Sequence, residues 1–340
     1  MHNVTMFLML TELCPNRCEY CYIKDRANPK TISTETIEKV IKEYNPMRVV
    51  LFGGEPLADL DLFKYVVKKY YGKIRLQVVT STSINFKEFI EFYKSYPIEL
   101  QLSWDGFNKN RLNAGGHDTS HKTYENILYA MDSGIKGFDV KSVISNDNAN
   151  QLLDLHHLFL EWEKKDVHGQ FVIAHRDLYT PYFYEAIKTN LIKTFTLDKI
   201  YTDHLNKIIA YLNQDTNYSS CDGGNYIVID PDGRNSYCTA LSQEKNLNIS
   251  AMELKLPCKD PDCQKCHYRY LCDGGCRYER YNEYGKDWLY HKLDSTCKMM
   301  QIYEETIQTW LGSLTFEETQ KLKRMIFRYQ KWAREFNTPL

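Results

Sequence analysis

The placement of the eleven cysteines constrains this 340-residue chain more than any other feature. Cys14, Cys18 and Cys21 fall within eight residues near the start. No cysteine follows until Cys221, and the remaining eight lie between Cys221 and Cys297. An odd total, in a chain expected in the reducing cytoplasm, argues against a disulfide framework. Thiols gathered this way serve as metal ligands, because soft thiolates select zinc, Cu(I) or iron–sulfur clusters. The stretch 221–297 is also rich in Gly, Asp and Asn and lacks hydrophobic periodicity. It buries little apolar surface, so bound metal clusters are expected to hold it together.

Ahead of it, residues 1–175 alternate strand and helix signals. Apolar runs that read as buried strands are Thr5 to Leu10, Arg48 to Phe52, Leu76 to Thr80, Ile98 to Ser103, Asp139 to Ile144 and Gln170 to Ala174. Ile37, Val40, Ile41 and Tyr44 repeat at helical spacing, as do Phe86, Phe89, Ile90 and Tyr93. Further helices are expected over Tyr124 to Met131 and Leu152 to Trp162. Strands separated by helices imply βα units, a parallel sheet and right-handed crossovers. The sheet could close into a barrel or stay open; in both cases ligands sit at the carboxyl ends of the strands. Cys14 to Cys21 follow the first strand directly and so lie on that face. Tyr182 to Leu212 reads as helical. Thr315 and Glu318 form a capping box ahead of a helix with an apolar stripe at Leu322, Met325, Ile326 and Tyr329.

Charge and composition exclude several classes. Lys plus Arg number 43 against 44 Asp plus Glu, a formal net charge of -1, whereas a nucleic-acid binder is usually basic. At 43% hydrophobic and 26% charged the chain is globular rather than disordered. No run approaches the roughly 20 apolar residues of a membrane span. Met1 to Leu10 lacks a basic region and a cleavage site, so it reads as a strand and not a signal peptide. No nucleic acid or membrane partner is expected.

The first cluster reads Cys14-Pro15-Asn16-Arg17-Cys18-Glu19-Tyr20-Cys21, or C-x3-C-x2-C. Three thiolates on one loop can hold three corners of a cubane, leaving one iron for a small-molecule ligand, since a [4Fe–4S] cluster normally takes four. A zinc site completed by another residue, such as His2, is the alternative. The spacing, with the aromatic Tyr20 before the third cysteine, resembles the signature of the radical S-adenosylmethionine (SAM) superfamily. Gly53-Gly54-Glu55-Pro56 after the second strand resembles that family's contact with the cofactor's amino group. Ser103-Trp104-Asp105-Gly106 after the fourth is similar to its S-x-D-G, where the serine lies near the ribose. Ser81-Thr82-Ser83 departs from the T-N-G often found at the third strand end, and no role is assigned there. The resemblance covers residues 1 to about 175. It implies a partial (β/α)6 TIM-type barrel, a [4Fe–4S] cluster on Cys14, Cys18 and Cys21, and SAM against Tyr20, Gly53, Gly54, Glu55, Pro56, Ser103 and Asp105.

The second cluster runs Cys221, Gly233, Cys238, then Cys263-x2-Cys266-x5-Cys272-x3-Cys276, then Cys297. Two zinc ribbons would account for eight thiols. The pattern C-x11-G-x4-C, C-x2-C-x5-C-x3-C and a distant cysteine resembles the SPASM extension of peptide- and protein-modifying radical enzymes. That resemblance implies a distal auxiliary cluster on Cys263, Cys266, Cys272 and Cys297 and a proximal one on Cys221, Cys238 and Cys276. The total is three [4Fe–4S] clusters. Cys258 lies outside the pattern: it is either a fourth proximal ligand or a spare thiol that leaves the proximal cluster an open iron. His267, between two ligands, is read as a packing or solvent-facing residue. The expected domains are 1–215, a radical SAM partial barrel; 216–300, the cysteine-rich domain; and 301–340, C-terminal helices.

The resemblance implies reductive cleavage of SAM to a 5′-deoxyadenosyl radical that oxidatively modifies a peptide side chain, in a thioether or carbon–carbon crosslink or similar. Flavodoxin or ferredoxin is the expected reductant. Sulfatase maturases, which make formylglycine, are the alternative; they place an Asp directly after the position of Cys238, where this chain has Thr239. With thirteen residues ahead of Cys14, an N-terminal leader-gripping domain is not expected. A separate leader-binding protein would present the peptide, or the enzyme recognises it unaided. A non-enzymatic iron–sulfur or zinc sensor or electron carrier would have no use for GGEP or S-x-D-G, and a tRNA-modifying radical enzyme fits poorly with the charge. No catalytic acid or base stands out.

Overall fold

The computed structural model describes residues 4–23, 27–174, 179–197, 200, 202–214, 226–244, 250–272 and 274–335. The strands among them are β1 (Thr5–Thr11), β2 (Asn16–Cys18), β3 (Arg48–Gly53), β4 (Arg75–Thr80), β5 (Glu99–Ser103), β6 (Arg111–Asn113), β7 (Phe138–Ile144), β8 (Val167–Ile173), β9 (Tyr226–Ile229) and β10 (Asn235–Ser236). The helices are α1 (Thr34–Tyr44), α2 (Leu60–Tyr70), α3 (Phe86–Ser95), α4 (Ser120–Asp132), α5 (Leu152–Glu163), α6 (Pro181–Leu191), α7 (Thr202–Asn213), α8 (Ala251–Leu254), α9 (Pro261–Gln264), α10 (Arg269–Cys272), α11 (Arg277–Tyr284), α12 (Asp294–Ser313) and α13 (Phe316–Glu335). Among the described residues no helix is long and apolar enough to cross a membrane.

All six expected strands form. They lie in the order β1-β3-β4-β5-β7-β8, each beside its predecessor in the chain, and the pairs from β1 to β7 run parallel. Sequential winding is the order of a barrel rather than of a doubly wound sheet. Among the described residues the edges at β8 and β10 are not joined to each other, as in a partial barrel. Strand faces alternate as the pleat requires. Leu100, Leu102, Val140 and Ser142 are buried, while Gln101, Ser103, Asp139 and Lys141 on the other face are half-buried.

Besides β2, β6 and the short helices α8 to α11, two larger features were not named by the sequence reading. The first is α2, which buries Leu60, Phe63, Val66 and Val67 and whose Asp59 cap accepts from Leu62 N at 3.0 Å. The second is the β9–β10 hairpin, supplied by the cysteine-rich stretch. There β9 adds parallel to β1, and β10 returns antiparallel. Gly233 turns this hairpin at φ 78°, with Asp230 accepting from Asp232 N and Arg234 N. The glycine of the C-x11-G-x4-C pattern is thus there for a left-handed turn that few other residues adopt.

The chain divides into two compact units. One comprises residues 1–143, 161–170 and 223–254, and holds most of the sheet. The other comprises 144–160, 171–222 and 255–340. In this second unit α12 and α13 follow the short helices α9 to α11. The capping box forms as expected, with Thr315 Oγ1 accepting from Glu318 N at 3.2 Å and Glu318 accepting from Thr315 N at 2.8 Å.

Candidate functional site

The loop after β1 carries Cys14, Cys18 and Cys21, all half-buried. Short-range bonds shape it: Cys21 N donates to Cys18 O at 3.1 Å, and Arg17 donates to Cys14 O at 2.8 Å. Cys18 ends β2, which pairs antiparallel with β6 and sets Cys18 opposite Arg111. Cys21 packs on an apolar cluster of Met9, Ile23, Phe52 and Val228.

Gly53 and Gly54 lie directly beneath this loop. Gly54 N donates to Thr11 O and Glu55 N to Leu13 O, both at 2.7 Å. A Cβ on Gly54 would collide with the Leu13 carbonyl oxygen and come within 2.5 Å of Glu12 O. The glycine pair therefore admits the backbone that carries the cysteines, a nearer demand than the ligand approach expected from sequence.

Glu55 is fully buried. Its Oε1 accepts from Leu57 N at 3.2 Å and Thr80 Oγ1 at 2.6 Å, and its Oε2 from Ser81 N at 2.8 Å and Ser81 Oγ at 2.5 Å. That fills about four acceptor positions, the capacity of a carboxylate. Burial pushes the carboxyl above the ordinary glutamate value, against the pull of the four donors. The carboxylate offered by sequence to an ammonium group is thus held by donors from the end of β4 and from Leu57 N. Thr80 and Ser81, to which sequence assigned no role, are its partners.

Asp105 is likewise buried and spoken for. It accepts from Arg111 Nε at 2.7 Å, Arg111 Nη2 at 3.1 Å, Val143 N at 2.9 Å and the Tyr20 hydroxyl. Desolvation holds the Tyr20 phenol well above the usual tyrosine value, opposed by the Arg111 guanidinium, whose centre lies 5.5 Å from the ring. Ser103 ends β5, half-buried and in register with Lys141. Pro56 opens the turn that leads to α2. The structure thus gathers Tyr20, Gly53, Gly54, Glu55 and Asp105 around the cysteine loop through bonds inside the chain. Arg111, which pairs with Cys18 and holds Asp105, was missed by sequence, and nothing local signals it.

In the second unit, Cys263, Cys266, Cys272 and Cys297 line one cavity of about 270 Å³ together with Lys292, Asp262 and Arg269. Asp260 caps α9 by accepting from Asp262 N at 2.8 Å, and Cys266 N donates to Cys263 O at 3.3 Å. Cys297 lies in the first turn of α12, and Lys292 bonds Asp262 at 2.6 Å at the cavity wall. Burial pushes the Cys272 thiol up to about 12 and also raises Cys297. Cys263 is raised first by its hydrogen bond with Cys258 and then by burial. A bound metal reverses such shifts, because coordination deprotonates the thiol. His267 faces Glu304 at 3.1 Å. Cys258 is fully buried; its Sγ would lie 2.6 Å from a Cβ on Gly274, and it donates to His291 O at 3.5 Å. Cys258 therefore sits against Cys263. Among the described residues no three His, Cys, Asp or Glu side chains gather as for a single ion. Cys238 follows β10 and Cys276 precedes α11; Cys221 lies outside the described residues.

Comparison with known proteins agrees with this geometry. Residues 8–159 match the radical SAM superfamily. A serine-type anaerobic sulfatase-maturating enzyme from Bacteroides thetaiotaomicron is 29% identical over 171 residues, 44% of this chain and 41% of the relative. The radical SAM cyclopropyl synthase TigE from Paramaledivibacter caminithermalis is 25% identical over 146 residues, 35% of this chain and 31% of the relative. The matched stretch thus spans less than half the length of both curated relatives. The solved structure of native anSMEcpe with bound AdoMet and Cp18Cys peptide shares the fold at TM-score 0.69 and 18% identity, covering 94% of this chain and 99% of that one. With the three-cysteine loop after β1 and the strand-end turns braced around it, this match makes residues 8–159 of the chain a radical SAM domain.

Proposed function

We propose that the chain is a radical SAM enzyme with a SPASM-type extension, which reductively cleaves SAM and oxidatively modifies a peptide side chain. The observation that carries this reading is the cavity walled by Cys263, Cys266, Cys272 and Cys297, outside the radical SAM domain. Four thiols spread around such a space suit a polynuclear cluster, whereas zinc would need all four within about 2.3 Å of one point.

In this reading Cys14, Cys18 and Cys21 hold the cofactor-binding cluster. Cys263, Cys266, Cys272 and Cys297 hold the distal auxiliary cluster, and Cys221, Cys238 and Cys276 the proximal one. Cys258, packed on Cys263, is left out, which gives the proximal cluster an open position. When bound, these groups supply the one-electron cleavage of SAM and take back the electron released when the substrate radical is oxidised. The protein's own part is positional. The glycine pair seats the cysteine loop, Tyr20 covers it, and the half-buried face with Ser103, Gln101, Asp139 and Lys141 receives cofactor and substrate. The domain division 1–215, 216–300 and 301–340, a flavodoxin or ferredoxin reductant, a separate leader-binding protein and a cytoplasmic location belong to the same proposal.

Peptide maturation is preferred over formylglycine formation because Thr239 stands where sulfatase maturases place an acid. The similarity to a sulfatase-maturating enzyme favours the second reading. The two separate in one assay. Reduced holoenzyme, SAM and a cysteine-containing peptide should give 5′-deoxyadenosine and a peptide lacking a pair of hydrogen atoms, inert to hydrazide. A hydrazide-reactive aldehyde on a sulfatase peptide would put formylglycine formation in its place. Purified protein with stoichiometric zinc and no brown absorbance would sink both.

A further inference from the structure

Arg111 is a cationic side chain that the structure sets against one of the N-terminal thiols, Cys18. Its backbone pairs with Cys18 across the β2–β6 ladder. Its side chain is 10% exposed, and that of Asp105 beside it 1%. Nε and Nη2 grip the two carboxylate oxygens of Asp105 at 2.7 and 3.1 Å. That grip fixes the plane of the guanidinium and leaves Nη1 facing Cys18 Sγ at 3.9 Å. Asp105 is itself locked by Val143 N and the Tyr20 hydroxyl, and the guanidinium lies over the Tyr20 ring. A planar fork with five donors can serve a carboxylate and a sulfur at once; a lysine ammonium is a single point.

Burying an ion pair is a poor way to gain stability alone, because desolvation offsets the attraction. Here the pair aims a fixed positive charge and an N–H at a thiolate. Resting on the reading of Cys14, Cys18 and Cys21 as cluster ligands, we propose that Arg111 is a positioning residue that tunes the redox poise of the N-terminal cluster through Cys18. Adding an electron makes the cluster with its thiolates more negative. A cation and a hydrogen bond at the sulfur favour that reduced state and raise its potential.

The test is a redox titration of holoenzyme followed by electron paramagnetic resonance. The N-terminal cluster is picked out by the change in its signal on adding SAM. Arg111→Gln should keep wild-type iron content and lower the ratio of reduced to oxidised cluster about tenfold at a fixed potential, equivalent to about 59 mV for a one-electron couple. Arg111→Lys guards against a Gln variant that fails to fold. Its ammonium can serve Asp105 or Cys18 but not both, so the ratio should fall about threefold, toward the Gln value. An unchanged ratio in an iron-replete variant overturns the proposal and leaves the cluster assignment standing. Wild-type protein with no SAM-responsive iron–sulfur signal overturns both.

Discussion

The backbone amide of Glu55 donates to the carbonyl of Leu13 at 2.7 Å, one residue before Cys14. The GGEP turn and the cysteine loop are therefore one seated piece of backbone, and a side chain added to the turn acts directly on the thiols.

Gly54→Ala tests this. Its methyl group would meet the Leu13 and Glu12 carbonyl oxygens, which belong to backbone and cannot swing aside. The expected outcome is a loss of about 1–3 kcal/mol in stability, from denaturant midpoints, and displacement of the loop. Iron assays should show a deficit of roughly four irons, with the auxiliary content kept.

Ten cysteines in three sets should hold about twelve irons after anaerobic reconstitution, with sulfide in equal amount. Replacing Cys14, Cys18 and Cys21 by Ala should leave roughly eight and abolish 5′-deoxyadenosine formation under dithionite. A triple variant that still cleaves SAM would place the reactive cluster elsewhere.

Glu55→Gln should destabilise the domain more than it alters the charge seen by a ligand. The amide has one acceptor oxygen and sets an NH2 group against donors at Thr80 and Ser81. The cost should be about 1–3 kcal/mol. Burial raises the folded carboxyl above its unfolded value. The contribution of Glu55 is therefore fully present below the ordinary glutamate pKa and lost as pH rises through the folded one. Denaturation midpoints of wild type should fall over that window, and those of Glu55→Gln should be flatter; equal slopes would contradict this.

Cys258→Ala removes a buried thiol that touches Cys263 and closely approaches Gly274. A cost of about 1 kcal/mol is expected from the small void. Iron content should stay at the wild-type level. The resonance of the distal cluster should change slightly and that of the proximal cluster not at all. Loss of the proximal signal would make Cys258 its fourth ligand.

Local order was legible in the sequence where spacing and chemistry are local. The six apolar runs became strands within a few residues of their expected limits, and Thr315 and Glu318 closed the box that their spacing implies. C-x3-C-x2-C marked the loop because three thiols on eight residues must share a neighbourhood whatever the rest of the chain does.

Partnership was decided only by tertiary structure. GGEP and S-x-D-G were visible as motifs. That Glu55 and Asp105 use their carboxylates on Thr80, Ser81, Arg111 and Tyr20 was not. Those partners lie 6 to 85 residues away, and hydrophobic periodicity carries no record of which buried donors meet a given acid. The same holds for β9, whose four residues become a strand by pairing with β1, and for Cys297, brought by α12 to the cavity of Cys263, Cys266 and Cys272. A thiol or carboxylate announces its chemistry in one dimension. What it is spent on depends on which groups the fold deprives of water beside it, because a buried polar group must find its partner within the protein.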